Sequence, residues 1–287
     1  MTFKVGTRKS KLSKIQTKEV VQKLKEKTSY EFEITDMKSL GDKNKWKSIK
    51  DIDATGVFTR ELDKALVNGA IDLAVHSSKD VPTDLSDKIS VSAVTERRDP
   101  SDVLVGGKLE ELEKGSVIGT GSPRRKAQIL RKRPDIEVKP IRGNVETRVS
   151  KVGSEVDAVV LAKIGLVRLG MEDRISEVLP LEEFLPAPGQ ACMTITTRKG
   201  DDETRNVVKE VDHEDSRLSI TAERAVLEKF GDGCSVPIGA HAKVEGNKIV
   251  LKAEYLEKGR KVVLEGSKEE PQKLGFEAAK KLMEEDN

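Results

Sequence analysis

Hydrophobic and polar positions follow two different periods in the first part of this chain. Apolar residues recur at helical spacing over 11–27 and again over 59–68, which predicts two helices. Residues 3–8 and 31–37 alternate as strands do, and the apolar run 71–77 is typical of a buried strand. This succession of strands and helices favours an α/β layer with parallel strand pairing.

A second α/β set begins near residue 100. Its predicted elements are a strand in D-V-L-V-G, a strand in V-I-G-T-G, helix 122–133, strand 136–141, helix 144–152 and strand 157–162. The segment L-P-A-P-G-Q-A, 185–191, is rich in proline and glycine and predicts a crossover or hinge.

The pattern changes from about residue 213. One long helix (213–230) precedes three consecutive strands, 236–245, 248–256 and 260–266, which are joined by glycine-containing turns. A final helix, 269–285, closes this α+β module. From its sequence pattern alone, the chain therefore divides into two α/β sets followed by a C-terminal α+β module.

Residues 41–58 are polar and lysine-rich and show no clean period. A loop of this length inside a compact domain is usually either a functional lid or a loose surface insertion. The sequence alone leaves both interpretations open.

Composition narrows the class of protein. The chain has 287 residues, which predicts two or three domains, and only two cysteines, which argues against a disulfide framework. Its 52 basic and 50 acidic residues leave a net charge of +2, whereas nucleic-acid binders usually show a clear basic excess. With no visible signal peptide and no apolar run long enough to span a bilayer, a cytoplasmic location is expected.

The segment G-T-G-S-P-R-R-K-A, 119–127, predicts an anion site. Ser122 occupies an N-cap position and Pro123 the first helical position, so unpaired N–H groups and positive dipole density meet there. Arg124 and Arg125 add two guanidinium groups, which bind carboxylates in bidentate fashion. The alternative is an ordinary capped helix with solvated arginines.

Other basic residues follow predicted strands in the same way. Arg8 and Ser10 follow the first strand, Arg142 and Arg148 flank a glycine turn, and Arg168 follows strand 157–162. Ligands of open α/β sheets bind at the carboxyl ends of the strands. The sequence therefore predicts a cleft for a ligand with many negative charges.

The segment A-V-H-S-S-K-D-V-P, 74–82, brings a strand to an acidic side chain, Asp80. Taken alone it is a common polar turn, but beside a basic cleft the carboxyl is suited to protonate a leaving group or stabilise a cation. His76 is interpreted as a structural hydrogen-bonding residue. No metal-ligand spacing is present among the cysteines and histidines.

Eight motifs in one order resemble the porphobilinogen deaminase family, also called hydroxymethylbilane synthase. They are G-T-R-K-S, F-T-R-E-L, A-V-H-S-S-K-D-V-P, G-T-G-S-P-R-R, R-G-N-V-E-T-R, L-A-K-I-G-L-V-R-L-G, A-P-G-Q-A and G-D-G-C-S-V-P-I-G. The resemblance runs nearly end to end.

The resemblance implies a transferase of tetrapyrrole and heme biosynthesis that condenses four porphobilinogen molecules head to tail, releases ammonia and yields hydroxymethylbilane. It implies two type-II periplasmic-binding-protein-like α/β domains with a cleft between them, plus a smaller C-terminal α+β domain. The domains implied are 1–96 with about 190–208, then 99–187, then 212–287. It also implies a dipyrromethane cofactor attached through a thioether to Cys234. The family is usually monomeric, and no nucleic-acid or membrane partner is expected.

Individual roles follow from the same resemblance. Asp80 matches the catalytic aspartate. The implied cofactor-binding residues, besides Cys234, are Ser77, Lys79, Ser122, Arg124, Arg125 and Arg142. The implied substrate-binding residues are Arg8, Ser10, Gln16, Arg148 and Arg168. Gln190 is a weaker candidate.

Two departures and three alternatives accompany this interpretation. Thr55 stands where the family often has lysine, and Ala191 where it has glycine, a change expected to matter little. The alternatives for the whole chain are a non-catalytic anion-binding protein and a nucleic-acid binder, for which 3% aromatic content is poor. For Cys234 the alternative is a buried cysteine that acts as a small hydrophobic residue.

Overall fold

The structure, a computed structural model, describes residues 1–37, 59–231 and 236–284. Two compact units share the chain: Met1–Arg97 with Ala191–Ile220, and Arg98–Gln190 with Thr221–Asn287. The predicted lid and Cys234 lie outside the described residues. The three-domain division stays a prediction, since the second unit holds the predicted second domain together with most of the predicted third domain.

Strands and helices of the described residues agree closely with the sequence pattern. The strands are β1 (Thr2–Arg8), β2 (Glu31–Met37), β3 (Leu73–Ser77), β4 (Ile89–Val94), β5 (Asp102–Val105), β6 (Val117–Gly119), β7 (Glu137–Lys139), β8 (Ala158–Ala162), β9 (Glu177–Val178), β10 (Met193–Arg198), β11 (Ile238–Glu245), β12 (Lys248–Tyr255) and β13 (Arg260–Ser267). The helices are α1 (Lys11–Lys27), α2 (Arg60–Val67), α3 (Pro123–Lys132), α4 (Val145–Val149), α5 (Lys163–Leu169), α6 (Asp202–Lys209), α7 (Glu214–Lys229) and α8 (Pro271–Met283). Strands β4, β9 and β10 and helices α5 and α6 were not predicted.

The first unit is built on a sheet with strand order β2-β1-β3-β10-β4. Strand β1 runs parallel to β2 and β3, as predicted, whereas β10 runs antiparallel to both β3 and β4. Parallel pairing is therefore only partly correct. A βαβ connection imposes parallel pairing on the strands that it joins. Strand β10 is not joined to its neighbours in this way, because the chain passes through the second unit before it enters the sheet.

The second unit contains a sheet with the equivalent order β7-β6-β8-β5-β9. Strand β6 is parallel to β7 and β8, and β5 is antiparallel to β8 and β9. The apolar run of β8 is buried on both faces, as expected of a central strand covered by helices. In both sheets the three parallel strands end at one edge, where the predicted site residues follow.

The C-terminal module is an antiparallel sheet, β11-β12-β13, with α8 packed against it. Helix α8 approaches α7 closely at Gly275, where a Cβ atom would lie 2.2 Å from the Ala222 carbonyl oxygen. Any larger residue at this position would force the helices apart. The predicted α/β class with a separate small α+β module is confirmed.

One fully buried glutamate joins this module to the proline-rich segment. Oε2 of Glu223 on α7 accepts a hydrogen bond from the Gly189 amide at 2.8 Å, and Oε1 accepts one from the Ala242 amide at 2.6 Å. Each bond is charge-assisted and buried, which makes both strong. Segment 185–190 is thereby fixed to the start of the C-terminal sheet.

The departure at Ala191 has a local conformational effect. Its φ is 71°, in the left-handed region that glycine adopts without steric cost and alanine does not. The substitution was expected to matter little, but that expectation did not consider the backbone conformation at residue 191.

Candidate active site

The first unit places the predicted catalytic carboxylate beside an arginine at one edge of its sheet. Arg8 ends β1, and Ser77 ends the parallel strand β3. A single 3₁₀ turn, Ser78–Asp80, follows directly. Arg8 Nη1 lies 4.0 Å from Asp80 Oδ2, and the Asp80 side chain is 36% exposed. A partly exposed carboxylate therefore faces a cation.

Three further predicted residues lie on α1, at its cap and in the 3₁₀ turn, and one of them links α1 to β3. The Ser10 hydroxyl accepts a hydrogen bond from the Ser13 amide at 3.2 Å and so caps α1. Gln16 Nε2 donates to Ser77 Oγ at 2.8 Å. Lys79 lies half-buried in the 3₁₀ turn beside Asp80. The structure thus brings together the site residues predicted for the first unit, and their contacts with ligands stay predictions.

His76 is held inside the sheet behind this edge. It is buried, and its Nε2 lies 2.9 Å from Thr196 Oγ1 on β10, in agreement with the structural role expected from the sequence. Burial, with a smaller effect of the Arg8 charge, lowers the pKa of His76 from 6.5 to about 4. The imidazole is therefore neutral at pH 7 in the folded chain.

This buried imidazole predicts a loss of stability in acid. The folded-state pKa is the lower one, so the unfolded chain takes up a proton first as the pH falls below 6.5. Above pH 6.5 this group does not lower the free energy of unfolding, whereas at pH 4 it lowers the free energy of unfolding by about 3 kcal/mol. Urea unfolding at several pH values should show this extra loss relative to His76→Asn. Parallel pH profiles for the two proteins would contradict the assignment.

In the second unit, the two predicted arginines share a buried aspartate. Arg124 and Arg125 open α3 behind the predicted cap, since Ser122 Oγ accepts from the Arg125 amide and Pro123 begins the helix. Arg124 Nη2 donates to Asp102 Oδ2 at 2.8 Å, and Arg125 Nη2 donates to Asp102 Oδ1 at 2.6 Å. All three side chains are at least nine-tenths buried. The alternative of solvated arginines is wrong.

Other protein groups accept hydrogen bonds from the Nη1 atoms of both arginines. Arg124 Nη1 donates to the Leu185 carbonyl at 2.7 Å, and Arg125 Nη1 donates to the Val160 carbonyl at 3.3 Å. The Nε atoms of both arginines are buried and have no hydrogen-bond partner among the described residues. The pair therefore keeps donor capacity that its own environment does not use.

The other predicted basic residues of this unit lie on separate elements. Arg142 is exposed after β7, and a Cβ atom at Gly121 would lie 3.8 Å from its Nη1, so it is close to the turn before α3. Arg148 Nε donates to the Gly143 carbonyl at 2.8 Å. Arg168 is half-buried on α5.

Sequence reasoning missed Asp102 altogether. It treated both arginines as available for ligand carboxylates, whereas an internal carboxylate already binds them. One signal was present: two arginines in the first turn of a helix oppose its dipole and call for a nearby acid. The sequence did not indicate which acid that would be.

Two family models match this chain. One, described as "Porphobilinogen deaminase, dipyromethane cofactor binding domain", matches residues 3–206. The other, "Porphobilinogen deaminase, C-terminal domain", matches residues 217–284. The chain belongs to the porphobilinogen deaminase family. The predicted family, the enzyme class and the dipyrromethane cofactor are confirmed.

Curated relatives of this deaminase family cover most of the chain. A "Probable porphobilinogen deaminase" of Methanopyrus kandleri is 47% identical over 84% of this chain and 83% of its own. The porphobilinogen deaminase of Desulforamulus reducens is 42% identical over 97% of this chain and 93% of its own. A solved periplasmic substrate-binding protein of an ABC transporter from Coxiella burnetii matches with TM-score 0.46 and 14% identity, over 80% of this chain and 98% of its own.

The described residues fit the cofactor of the deaminase family. A dipyrromethane made from two porphobilinogen units carries acetate and propionate arms, and these carboxylates require cationic hydrogen-bond donors. The unused buried Nε atoms of Arg124 and Arg125 and the exposed guanidinium of Arg142 are donors of this kind. Within residues 1–37, 59–231 and 236–284, no cluster of side chains suits a metal ion, and no helix is long and apolar enough to cross a membrane.

Proposed function

We propose that this chain condenses four porphobilinogen molecules head to tail, releases one ammonia at each addition, and yields hydroxymethylbilane after hydrolysis. The observation that carries the proposal is the partly exposed Asp80 carboxylate 4.0 Å from Arg8 at the carboxyl edge of β1 and β3. Family membership supports the reaction class.

Asp80 is proposed to act on the leaving group. In each addition the aminomethyl carbon of porphobilinogen would bond to the α-carbon of the preceding pyrrole as its bond to the amine breaks. The proton lost from that α-carbon would balance the departure of the amine as ammonia. A carboxylate close to these atoms stabilises the positive charge that develops on the pyrrole and the amine. Arg8 would pair with a substrate carboxylate, and the Gln16–Ser77 hydrogen bond would keep the start of α1 beside it.

The arginines are proposed to hold the carboxylates of the bound pyrroles. Arg124, Arg125 and Arg142, with Ser77, Lys79 and Ser122, would bind the cofactor, and Ser10, Arg148 and Arg168 would assist the substrate. When bound, the dipyrromethane supplies the pyrrole end to which each new unit is joined.

Cys234 is proposed to carry that group through a thioether. Its sulfur would bond to the methylene carbon of the first unit, and the amine of that unit would leave as ammonia with the proton of the thiol. The residue lies outside the described part of the chain and precedes β11 in the sequence. An interdomain cleft and a monomeric state remain predictions from the family resemblance, and a cytoplasmic location remains a prediction from the sequence.

A turnover assay tests the proposal. Purified chain incubated with porphobilinogen should release one ammonia for each molecule consumed and should form hydroxymethylbilane. The reaction should not require an added metal ion. Binding of porphobilinogen without ammonia release would contradict the proposal and favour the anion-binding alternative.

A further inference from the structure

Asp102 belongs to none of the sequence motifs, but its carboxylate binds both arginines of the buried cluster, Arg124 and Arg125. It begins β5, and its side chain is 1% exposed. Each carboxylate oxygen binds a different arginine, at 2.8 Å for Arg124 and 2.6 Å for Arg125. Oδ1 also accepts from Gln190 Nε2 at 2.9 Å. Both oxygens therefore have partners before any ligand binds.

The charges of this cluster do not cancel. Two guanidinium groups contribute two positive charges and Asp102 contributes one negative charge, so the cluster keeps one net positive charge. Burial alone would raise the pKa of Asp102, but the charges of Arg124 and Arg125 outweigh burial and hold that pKa well below its usual range. The carboxylate is ionised at any pH at which the protein works.

Neighbouring contacts fix the cluster from both ends. Gln190 Nε2 also donates to the Pro100 carbonyl at 2.6 Å, and Gln128 Nε2 donates to the Leu185 carbonyl, which Arg124 also contacts. Glu223 holds the adjacent Gly189 amide. Asp102 thus belongs to a buried polar network in which each member restricts the orientation of the next.

We propose that Asp102 is a positioning residue of the cofactor site: its carboxylate orders the Arg124 and Arg125 guanidiniums in advance and leaves the pair one net charge, matched to one ligand carboxylate. This inference rests on the proposed function of the two arginines. Donors that are already oriented bind a carboxylate without the entropic cost of ordering two long side chains. Without Asp102, two like charges would share a buried space and would be driven apart.

Assembly of the cofactor gives a direct test. Apoprotein would be prepared in a host that makes no porphobilinogen, and its mass gain on incubation with porphobilinogen would be followed over time. Asp102→Asn removes the negative charge from the cluster. Asp102→Glu keeps the charge but displaces the carboxylate by one methylene, and it serves as a second variant in case Asp102→Asn does not fold. We expect both variants to load about tenfold more slowly or worse, and to need more porphobilinogen for half-maximal rate.

The control variant is Asp135→Asn. Asp135 pairs with Arg133 just beyond the other end of α3, so this change removes an aspartate–arginine pair away from the cluster. It should load within about twofold of the wild-type rate, because this half-buried pair lies away from the cluster. Thermal unfolding of each apoprotein separates slow loading from loss of fold.

The outcomes distinguish the inference from the function on which it rests. Wild-type loading by folded Asp102→Asn and Asp102→Glu, together with slow loading by Arg124→Gln and Arg125→Gln, would overturn the role of Asp102 alone. Wild-type loading by the two arginine variants as well would overturn the assignment of the arginines to the cofactor. If Asp102→Glu had a lowered melting midpoint but an unchanged loading rate, Asp102 would stabilise the fold and would not position the arginines for the cofactor.

Discussion

Asp80→Asn is expected to lower kcat by about two to four orders of magnitude while the chain stays folded. Asparagine has nearly the same shape, but it carries neither the charge nor the proton that the loss of ammonia requires. Because the Asp80 side chain is 36% exposed, its removal leaves no buried charge unpaired. Steady-state kinetics of the cofactor-loaded variant, with its melting midpoint, would measure both effects.

Asp84→Asn provides the matched control. Asp84 is an exposed aspartate four residues along the same segment, and its replacement should leave kcat within about twofold of wild type. If Asp80→Asn kept more than about a tenth of wild-type kcat, the carboxylate would not be the group that assists ammonia release.

Cys234→Ala is expected to lower product formation by about a thousandfold or more. A tether makes each addition effectively intramolecular, and well-oriented intramolecular reactions gain effective molarities far above this factor. Cys192→Ala is the control, because Cys192 is the other cysteine of the chain and lies buried in the first unit. Equal product formation by both variants would contradict attachment at Cys234.

Local signals predicted most elements of the fold. Ser10 and Ser122 were identifiable as N-caps, and α1 and α3 begin directly after them. The three C-terminal strands were separated by glycine turns and formed an antiparallel sheet in register. Helix starts and tight turns depend on a few adjacent residues, so the sequence shows them directly.

Pairing between distant segments was not predictable in the same way. The family resemblance implied that a piece near 190–208 belongs to the first domain, but the sequence pattern did not identify β10. Nor did it show that β10 and β5 run antiparallel to their neighbours. A strand's direction depends on the path by which the chain enters the sheet, and hydrophobic period carries no information about that path.

The candidate site was predictable as a set of residue types and not as a set of contacts. Arg8 and Asp80 come from different strands, and their proximity follows from the parallel pairing of β1 and β3, which the pattern did suggest. The partnership of Asp102 with Arg124 and Arg125 depends on a contact between β5 and α3 that no local pattern encodes. The two arginines predicted from the sequence as an anion site thus share an acid that only the fold reveals.

Intact mass spectrometry of the purified chain beside Cys234→Ala tests the central claim most directly. After incubation with porphobilinogen, the wild-type chain should exceed its sequence mass by two porphobilinogen units less two ammonia, and Cys234→Ala should show no such excess. A bare wild-type mass after that incubation would contradict the tethered-cofactor account. The same excess in Cys234→Ala would contradict attachment at this residue.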